Sequence, residues 1–292
     1  MLELRSLFGK EPQGNVFQSE IQILPARSPF IRERIDVLFE GETLDEIKEQ
    51  IKHIDLGAGT FKIICSKMSM EDSKQLSYHE LRATERELGA VITAEADVHN
   101  PDHLFGVILW NGKWYFGAYQ KSEAMWLKHM KKPRQYSTAL STRVARSVAN
   151  IAVPNPEGVT AIDPCCGIGN VLVEALSMGI HIEGRDINPL AASGARENIA
   201  HFGLDGDVTF GPIAEVTEHY DAAIIDLPYN LYTHITLEEQ KSIIEHTRRI
   251  ADRAVIVTID PIDELVKKAG FEIIDRGLAI KNQFSREVLL CI

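Results

Sequence analysis

Apolar positions along the chain follow two rhythms, and the change between them falls near residue 138. In the first half, "TLDEIKEQIKHI" places Leu44, Ile47, Ile51 and Ile54 at three- and four-residue spacing, which predicts an amphipathic helix. "FKIICSK" reads as a short buried strand. "SYHELRATERELGA" opens with Ser77 and has Glu80 three residues on, a capping box, and closes near Gly89. Two β-rich runs, "LFGVILW" and "KWYFGAY", flank Asn111-Gly112 and predict a hairpin on the preferred two-residue turn. Interleaved signals of this kind predict a small α+β domain. The chain opens directly in a helical pattern, "MLELRSLFGKE", with no strand before it, so this domain reads as late-starting or trimmed at its N-terminus.

From Thr138 onward helix and strand signals alternate strictly. Helices are predicted over about 138–150, 170–178, 190–202, 237–251 and 262–269, with strands at "VTAID", "IHIEGRD", "DVTF", "DAAIID" and "RAVIVTID". Such a succession predicts an α/β domain with a doubly wound, mostly parallel sheet. At the end, "GFEIIDRGLAI" and "SREVLLCI" have no helix between them, which predicts a terminal antiparallel hairpin.

Composition adds limits. With 292 residues, 45% apolar and 25% charged, the chain has the make-up of a soluble globular protein of one or two domains. No apolar run approaches the roughly 20 residues a membrane helix needs, and the start lacks the apolar core and cleavage site of a secretory leader. Cys65, Cys165, Cys166 and Cys291 show no C-x-x-C spacing, so the reading is reduced thiols in a cytoplasm and no metal site. A net charge of −11 argues against bulk attraction to nucleic acid. Locally, Lys128, Lys131, Lys132, Arg134, Arg143 and Arg146 stand together with no acidic residue between them. A solvated face and a phosphate-facing seam both account for such a cluster.

Candidate chemistry lies where predicted strands end. "AIDPCCGIGNVLVEAL" carries Asp163 at a strand end, then Gly167 and Gly169, which permit close backbone approach, then a helix with free N–H groups. The third glycine of a dinucleotide fingerprint would fall at Leu172, so a nicotinamide cofactor fits poorly, and Asp163 suits a cationic ligand better than a pyrophosphate. Asp186 ends the next strand in "IEGRDINP", placed for two ribose hydroxyls or for a helix-capping role shared with Asn188-Pro189. The run Ala222–Ile225 stops at Asp226 and continues Leu227-Pro228-Tyr229-Asn230, a carboxylate and an aromatic ring set around a proline.

Taken in order, "DPCCGIGNVLVEA", "GRDINP" and "DLPY" resemble the class I S-adenosylmethionine-dependent methyltransferases, most closely those that modify exocyclic amino groups and carry (D/N)-P-P-(Y/F) after the fourth strand. "KKPRQYSTALSTRVARSVANIA" is similar to the segment before the catalytic domain of THUMP-containing tRNA guanine-N2 methyltransferases, and "SYHELRATERELGAVI" with "KWYFGAY" looks like the THUMP domain itself. The resemblance implies a THUMP-like RNA-binding domain over 1–122 and a methyltransferase domain over 123–292, including a basic linker, 123–137. It implies S-adenosyl-L-methionine as cofactor, held by Tyr136, Thr138, Asp163, Cys165, Gly167, Gly169, Asn170, Asp186 and Ile187. It implies an RNA partner, tRNA first, met by Lys128, Lys131, Lys132 and Arg134, and catalysis by Asp226, Leu227, Pro228 and Tyr229.

The chemistry explains that last loop. An exocyclic amine is a poor nucleophile because its lone pair is delocalised, and two acceptors on its N–H groups favour the reactive geometry. Asp226 supplies one acceptor and the Leu227 carbonyl the other; Pro228 stiffens the loop; Tyr229 offers a stacking face worth about 1–3 kcal/mol. Two departures stand out. Leu227 replaces the usual first proline, and Gly211-Pro212 stands where many relatives place an acidic adenine contact, which leaves Ile187 as the packing partner for that ring. Cys165-Cys166 reads as a pair of small side chains. The same loop would serve a methyltransferase for ribosomal RNA, DNA or a glutamine side chain, and a noncatalytic RNA-binding protein could retain the fold.

Overall fold

The computed structural model describes residues 2–12, 14–67, 76–137, 139–228, 235–281 and 284–292. They form two compact units, one of Pro12–Ala26 and Phe30–Glu123, the other of Met1–Glu11, Arg27–Pro29 and Ala124–Ile292. The opening helix, α1 (Leu2–Phe8), therefore belongs with the C-terminal residues.

The smaller unit contains β1 (Glu33–Gly41), α2 (Leu44–Ile51), β2 (Phe61–Cys65), α3 (Tyr78–Gly89), β3 (His103–Trp110) and β4 (Lys113–Lys121). Its sheet runs in the order β1-β4-β3-β2, with β2 and β3 parallel and the other pairs antiparallel. Ser77 and Glu80 make the predicted capping box, and Thr43 caps α2 by accepting the Glu46 N–H. Asn111 and Gly112 both have positive φ, 50° and 79°, the turn geometry whose twist matches the flanking strands. Ile47, Ile51, Leu81 and Leu88 from the helices meet Phe61, Ile63, Phe105, Val107 and Phe116 of the sheet. The sequence pattern did not announce β1. Val37 and Leu38 are exposed, and a bulge between Val37 and Phe39 breaks the two-residue alternation.

The larger unit continues with α4 (Met125–Lys128), α5 (Thr142–Ala152), β5 (Thr160–Asp163), α6 (Asn170–Ser177), β6 (His181–Asp186), α7 (Pro189–His201), β7 (Val208–Phe210), β8 (Tyr220–Asp226), α8 (Leu237–Ile250), β9 (Ala251–Thr258), α9 (Asp263–Lys268), β10 (Ile273–Lys281) and β11 (Phe284–Cys291). The strand order is β10-β11-β9-β8-β5-β6-β7. Pairing is parallel from β7 through β9, and β11 lies antiparallel to both β9 and β10, which is the predicted terminal hairpin. Successive residues of the central strands enter opposite cores. Ala222, Ile224, Val255, Val257, Val288 and Leu290 pack with α5, α6 and α7, whereas Ile225, Ala254, Ile256, Leu289 and Cys291 pack with α8 and α9. Burial on both faces is why these strands read as unbroken apolar runs.

The expected first domain, 1–122, differs from the structure at its N-terminal end. Leu2 joins the larger unit's core, and Arg5 grips Asp275 of β10 through two hydrogen bonds, 2.8 and 2.9 Å. Glu3 is buried and accepts from Asn150 Nδ2 at 2.6 Å and Ser28 Oγ at 3.0 Å. Arg27 Nε donates to Asn150 Oδ1 at 2.6 Å, so residues 27–29 are drawn in by the same network. Burial pushes the Glu3 carboxyl up to about 7.

Opposite the β1 bulge, a Cβ on Gly117 would stand 1.9 Å from the Asp36 carbonyl oxygen. Because that neighbour is backbone, relief requires the two strands to move apart. Gly117→Ala is expected to destabilise the smaller unit by at least about 3 kcal/mol, read as an early transition in urea unfolding; a wild-type midpoint would contradict the close approach.

Candidate active site

The sheet divides at β5: β6 and β7 extend it one way, β8 and β9 the other. Open α/β sheets bind ligands at such a switch point, beyond the carboxyl ends of the strands. Three neighbouring strands end there in aspartates, Asp163 on β5, Asp186 on β6 and Asp226 on β8. Between β5 and α6 the chain turns through Gly167 (φ 55°) and Gly169 (φ 77°), backbone that other residues rarely adopt. A Cβ added at Gly167 would meet nothing within 4 Å, so the turn leaves open space beside its backbone.

Asp186 holds this turn. Its Oδ2 accepts the Gly167 N–H at 2.7 Å and its Oδ1 the Asn188 N–H at 2.8 Å, tying the glycine loop to the start of α7. Asp163 is buried and accepts the Cys165 N–H at 3.3 Å. Burial, with the like charges of Asp186 and Asp226 added, raises its carboxyl well above the ordinary range. Burial also pushes Asp226 up to about 6, partly offset by the Arg286 guanidinium. Asp226 Oδ1 is buried with no hydrogen-bond partner among the described residues. Asn170 is in the same condition: its Nδ2 donates to the Leu140 carbonyl at 2.6 Å, and its buried Oδ1 has no partner among the described residues. Two acceptors without a partner among the described residues are thus open to hydrogen-bond donors from a ligand.

Both residues line one cleft, which encloses about 740 Å³ of empty space including its open mouth. Of the sequence-predicted residues, the cleft brings together Tyr136, Asp163, Cys165, Gly167, Asn170, Asp226, Leu227 and Pro228. Asp186, Ile187 and Gly169 are not in its wall; Ile187 lies one residue beyond the β6 end and is 69% exposed. Thr138 and Tyr229 fall outside the described residues. Cys166, read from sequence only as a small side chain, also lines the cleft, as do Ala139, Leu140, Ile168 and Val171, which were not singled out from sequence. Cys165 and Cys166 are thiols with their acidity suppressed by burial and by nearby carboxylates, which suits a packing role.

Leu227 shows what replaces the expected proline. Its N–H donates to the Val257 carbonyl at 2.9 Å, and its side chain is fully buried with Ile225, Ile244 and Ile256. The loop is thus anchored by core packing at the position where a proline would have stiffened it.

The basic cluster does not form a uniform seam. Lys128 and Lys131 are exposed, but Lys132 is half-buried, and burial lowers its ammonium below the usual range. Arg134 binds both Glu197 oxygens, at 2.7 and 3.1 Å. Arg146 is buried, donating to Glu174 at 2.6 Å, with its guanidinium 5.9 Å from the Trp126 ring centroid. Trp126 is itself buried, so it offers no stacking face for a base. A lone Glu174 within the apolar "NVLVEALS" was the sequence signal for that buried pair, since an unpaired carboxylate is rarely tolerated in a core. Among the described residues, no group of His, Cys, Asp and Glu is arranged to hold a metal ion, and no helix is long and apolar enough to cross a membrane.

Residues 130–270 match the family model described as UPF0020, RMKL-like, methyltransferase domain. This segment is a methyltransferase domain. The chain is similar to a tRNA (guanine(10)-N2)-dimethyltransferase of Methanothermobacter thermautotrophicus, 26% identical over 225 residues that cover 73% of this chain and 65% of the relative. A protein of the same name from Pyrococcus abyssi is 25% identical over 220 residues, covering 68% of this chain and 65% of the relative. The chain thus spans a little under two thirds of the length of these curated relatives. TrmN from Thermus thermophilus aligns in structure with a TM-score of 0.48 and 15% identity, over 90% of this chain and 83% of that one.

The methyltransferase domain carries an ionisable group whose burial has a measurable consequence. With the Asp226 carboxyl raised from 3.8 to about 6, the folded state holds its proton more tightly than the unfolded chain does. Stability is therefore lost as pH rises between these values and is not regained above them. Asp226→Asn should stabilise the protein by about 1–3 kcal/mol near neutral pH, with the gain vanishing toward pH 4. Thermal unfolding of both proteins across that range checks this; a pH-independent difference would contradict the burial of a charge.

Proposed function

We propose that this chain is an S-adenosylmethionine-dependent RNA methyltransferase that modifies the exocyclic N2 of a guanine, in tRNA, in a reducing cytoplasm. The observation that carries this reading is the half-buried Asp226 carboxylate, whose Oδ1 is closed off from solvent and has no partner among the described residues, at the end of a strand that opens into the glycine-turn cleft. The names of the relatives, tRNA (guanine(10)-N2)-dimethyltransferases, support tRNA and guanine N2 as the first substrate to test. The smaller unit, with its two helices packed on a four-stranded sheet, is proposed as a THUMP-like RNA-binding domain, and exposed Lys128 and Lys131 as phosphate contacts.

The cleft fits the cofactor by its chemistry. Carboxyls at 163, buried, and 226, half-buried, favour a cation, the Asn170 Oδ1, without a partner among the described residues, favours an ammonium or hydroxyl donor, and the space beside Gly167 admits close approach. Asp163, Asn170, Gly167 and Tyr136 would hold its amino-acid part, and Asp186 with Ile187 its ribose and adenine. When bound, S-adenosylmethionine supplies an electrophilic methyl group on a positively charged sulfur. The protein's part is orientation. Asp226 Oδ1 accepts one N–H of the target amine, and the Leu227 carbonyl, on backbone fixed by Val257 and the core, accepts the other. A carboxyl near 6 is mostly ionised at neutral pH and can take up the proton released at Oδ1 before passing it to water.

Incubation with labelled S-adenosylmethionine and unmodified tRNA, followed by nucleoside mass spectrometry, tests the reading. N2-methylated guanosine is expected, and Asp226→Ala should lower kcat by at least about 100-fold while leaving the KM for tRNA within a few-fold of wild type. Methylation of another nucleotide or acceptor would redirect the substrate assignment; transfer undiminished in Asp226→Ala would remove the catalytic loop; absence of any cofactor binding would leave a noncatalytic RNA-binding protein.

A further inference from the structure

Residues 129–137 run past α6 and α7 as a strap, and Tyr136 of this strap and Leu140 beyond it wall the cleft. Buried polar side chains fasten it at intervals. Glu174 of α6 meets His129 Nδ1 at 2.8 Å, and Asn170 Nδ2 donates to the Leu140 carbonyl. Between these points lies Asn198 of α7, 0% exposed, with its whole amide in use. Its Oδ1 accepts the Arg134 N–H at 2.9 Å, and its Nδ2 donates to the Arg134 carbonyl at 3.1 Å and to the Ile168 carbonyl at 2.8 Å. The partners fix which end is oxygen, since only the carboxamide NH₂ can serve two carbonyls. One side chain therefore joins the strap backbone to the turn between Gly167 and Gly169.

The rest of that helix face is cut short to let the two segments in. Ala191, Gly194 and Ala195 lie on the same face as Asn198 by helical spacing. A Cβ on Gly194 would stand 3.4 Å from Ile168 Cγ2 and 3.5 Å from Arg134 Cγ, and one on Gly169 would stand 3.0 Å from Ala195 Cβ. With so little side chain around it, Asn198 is the polar group that sets the spacing between strap and turn.

We propose that Asn198 is a positioning residue for the cofactor cleft: through the Arg134 backbone it holds the strap that carries Tyr136 in register with the glycine turn, without touching the ligand itself. This rests on the reading of the cleft as an S-adenosylmethionine site. A purely structural asparagine would lower stability and leave ligand affinity in the folded protein unchanged, so affinity at matched stability separates the two roles.

The test is calorimetric titration of the full chain with S-adenosylhomocysteine, for wild type, Asn198→Ala, Asn198→Asp and, as a remotely destabilised control, Ile250→Val. Asn198→Asp keeps the size and the acceptor but cannot donate to the two carbonyls. Both Asn198 variants are expected to bind at least tenfold more weakly, and in turnover to raise the KM for the cofactor more than they lower kcat, while Ile250→Val binds as wild type. Folded Asn198 variants with affinity within twofold of wild type would overturn the inference and leave the proposed function standing. Wild type that binds no S-adenosylhomocysteine would overturn both. Should neither Asn198 variant fold, hydrogen exchange in the wild type decides: the Arg134 amide is expected to exchange slowly despite its exposed side chain, and more slowly with S-adenosylhomocysteine, whereas fast exchange unaffected by the ligand would overturn the inference.

Discussion

Three carboxyl groups drawn wholly or partly out of water at the ends of β5, β6 and β8 govern how the larger unit is built around them. Carboxylates are expensive to bury, and each of the three meets that cost differently. Asp186 spends both oxygens on backbone N–H groups and so shapes the glycine turn. Asp163 keeps a weak bond to Cys165 and is driven toward its protonated form. Asp226 has an oxygen without a partner among the described residues and a carboxyl raised to about 6. A fold does not tolerate such an arrangement for stability's sake; it suits a site completed by a cationic, hydrogen-bond-donating ligand.

Rigidity around those charges comes from both sides of the sheet. On the α5–α7 side, the buried Glu174–Arg146 pair, His129 and Asn198 tie linker and helices into one network, with Trp126 closed beneath it. On the α8–α9 side, Leu227 is sunk among isoleucines immediately after Asp226, so the chain leaves β8 from a fixed point. Leucine and proline reach the same end by different means, side-chain burial in one case and a locked φ in the other.

Much of the fold was legible because period and punctuation agree with tertiary burial. The strands of the parallel sheet are apolar on both faces, and the helices between them begin at recognisable caps such as Ser141, Asn188 and Thr236. Illegible parts share a cause: their partners are distant in sequence. β1 is an edge strand with a bulge and exposed apolar residues, so no local alternation marks it. The docking of α1 depends on Asn150 and Asp275, far along the chain. Arg134 and Arg146 looked like members of one basic run, yet Glu197 and Glu174 claim them, and nothing in the local pattern distinguishes them from Lys128 and Lys131. Within the candidate site, the aspartates and glycines were readable from their places at strand ends, whereas Leu140 and Asn198 act through backbone contacts that composition does not encode.

On the proposed function, the half-buried Asp226 carboxyl faces a site for a sulfonium donor. Carbon-13 NMR of protein labelled at the aspartate carboxyl carbons measures this directly, with Asp226→Asn assigning the resonance. A midpoint near 6 is expected in the free protein, falling toward the ordinary carboxylate value with S-adenosylmethionine and falling less with S-adenosylhomocysteine, which lacks the sulfonium charge. An ordinary midpoint in the free protein, or one that neither ligand moves, would contradict it.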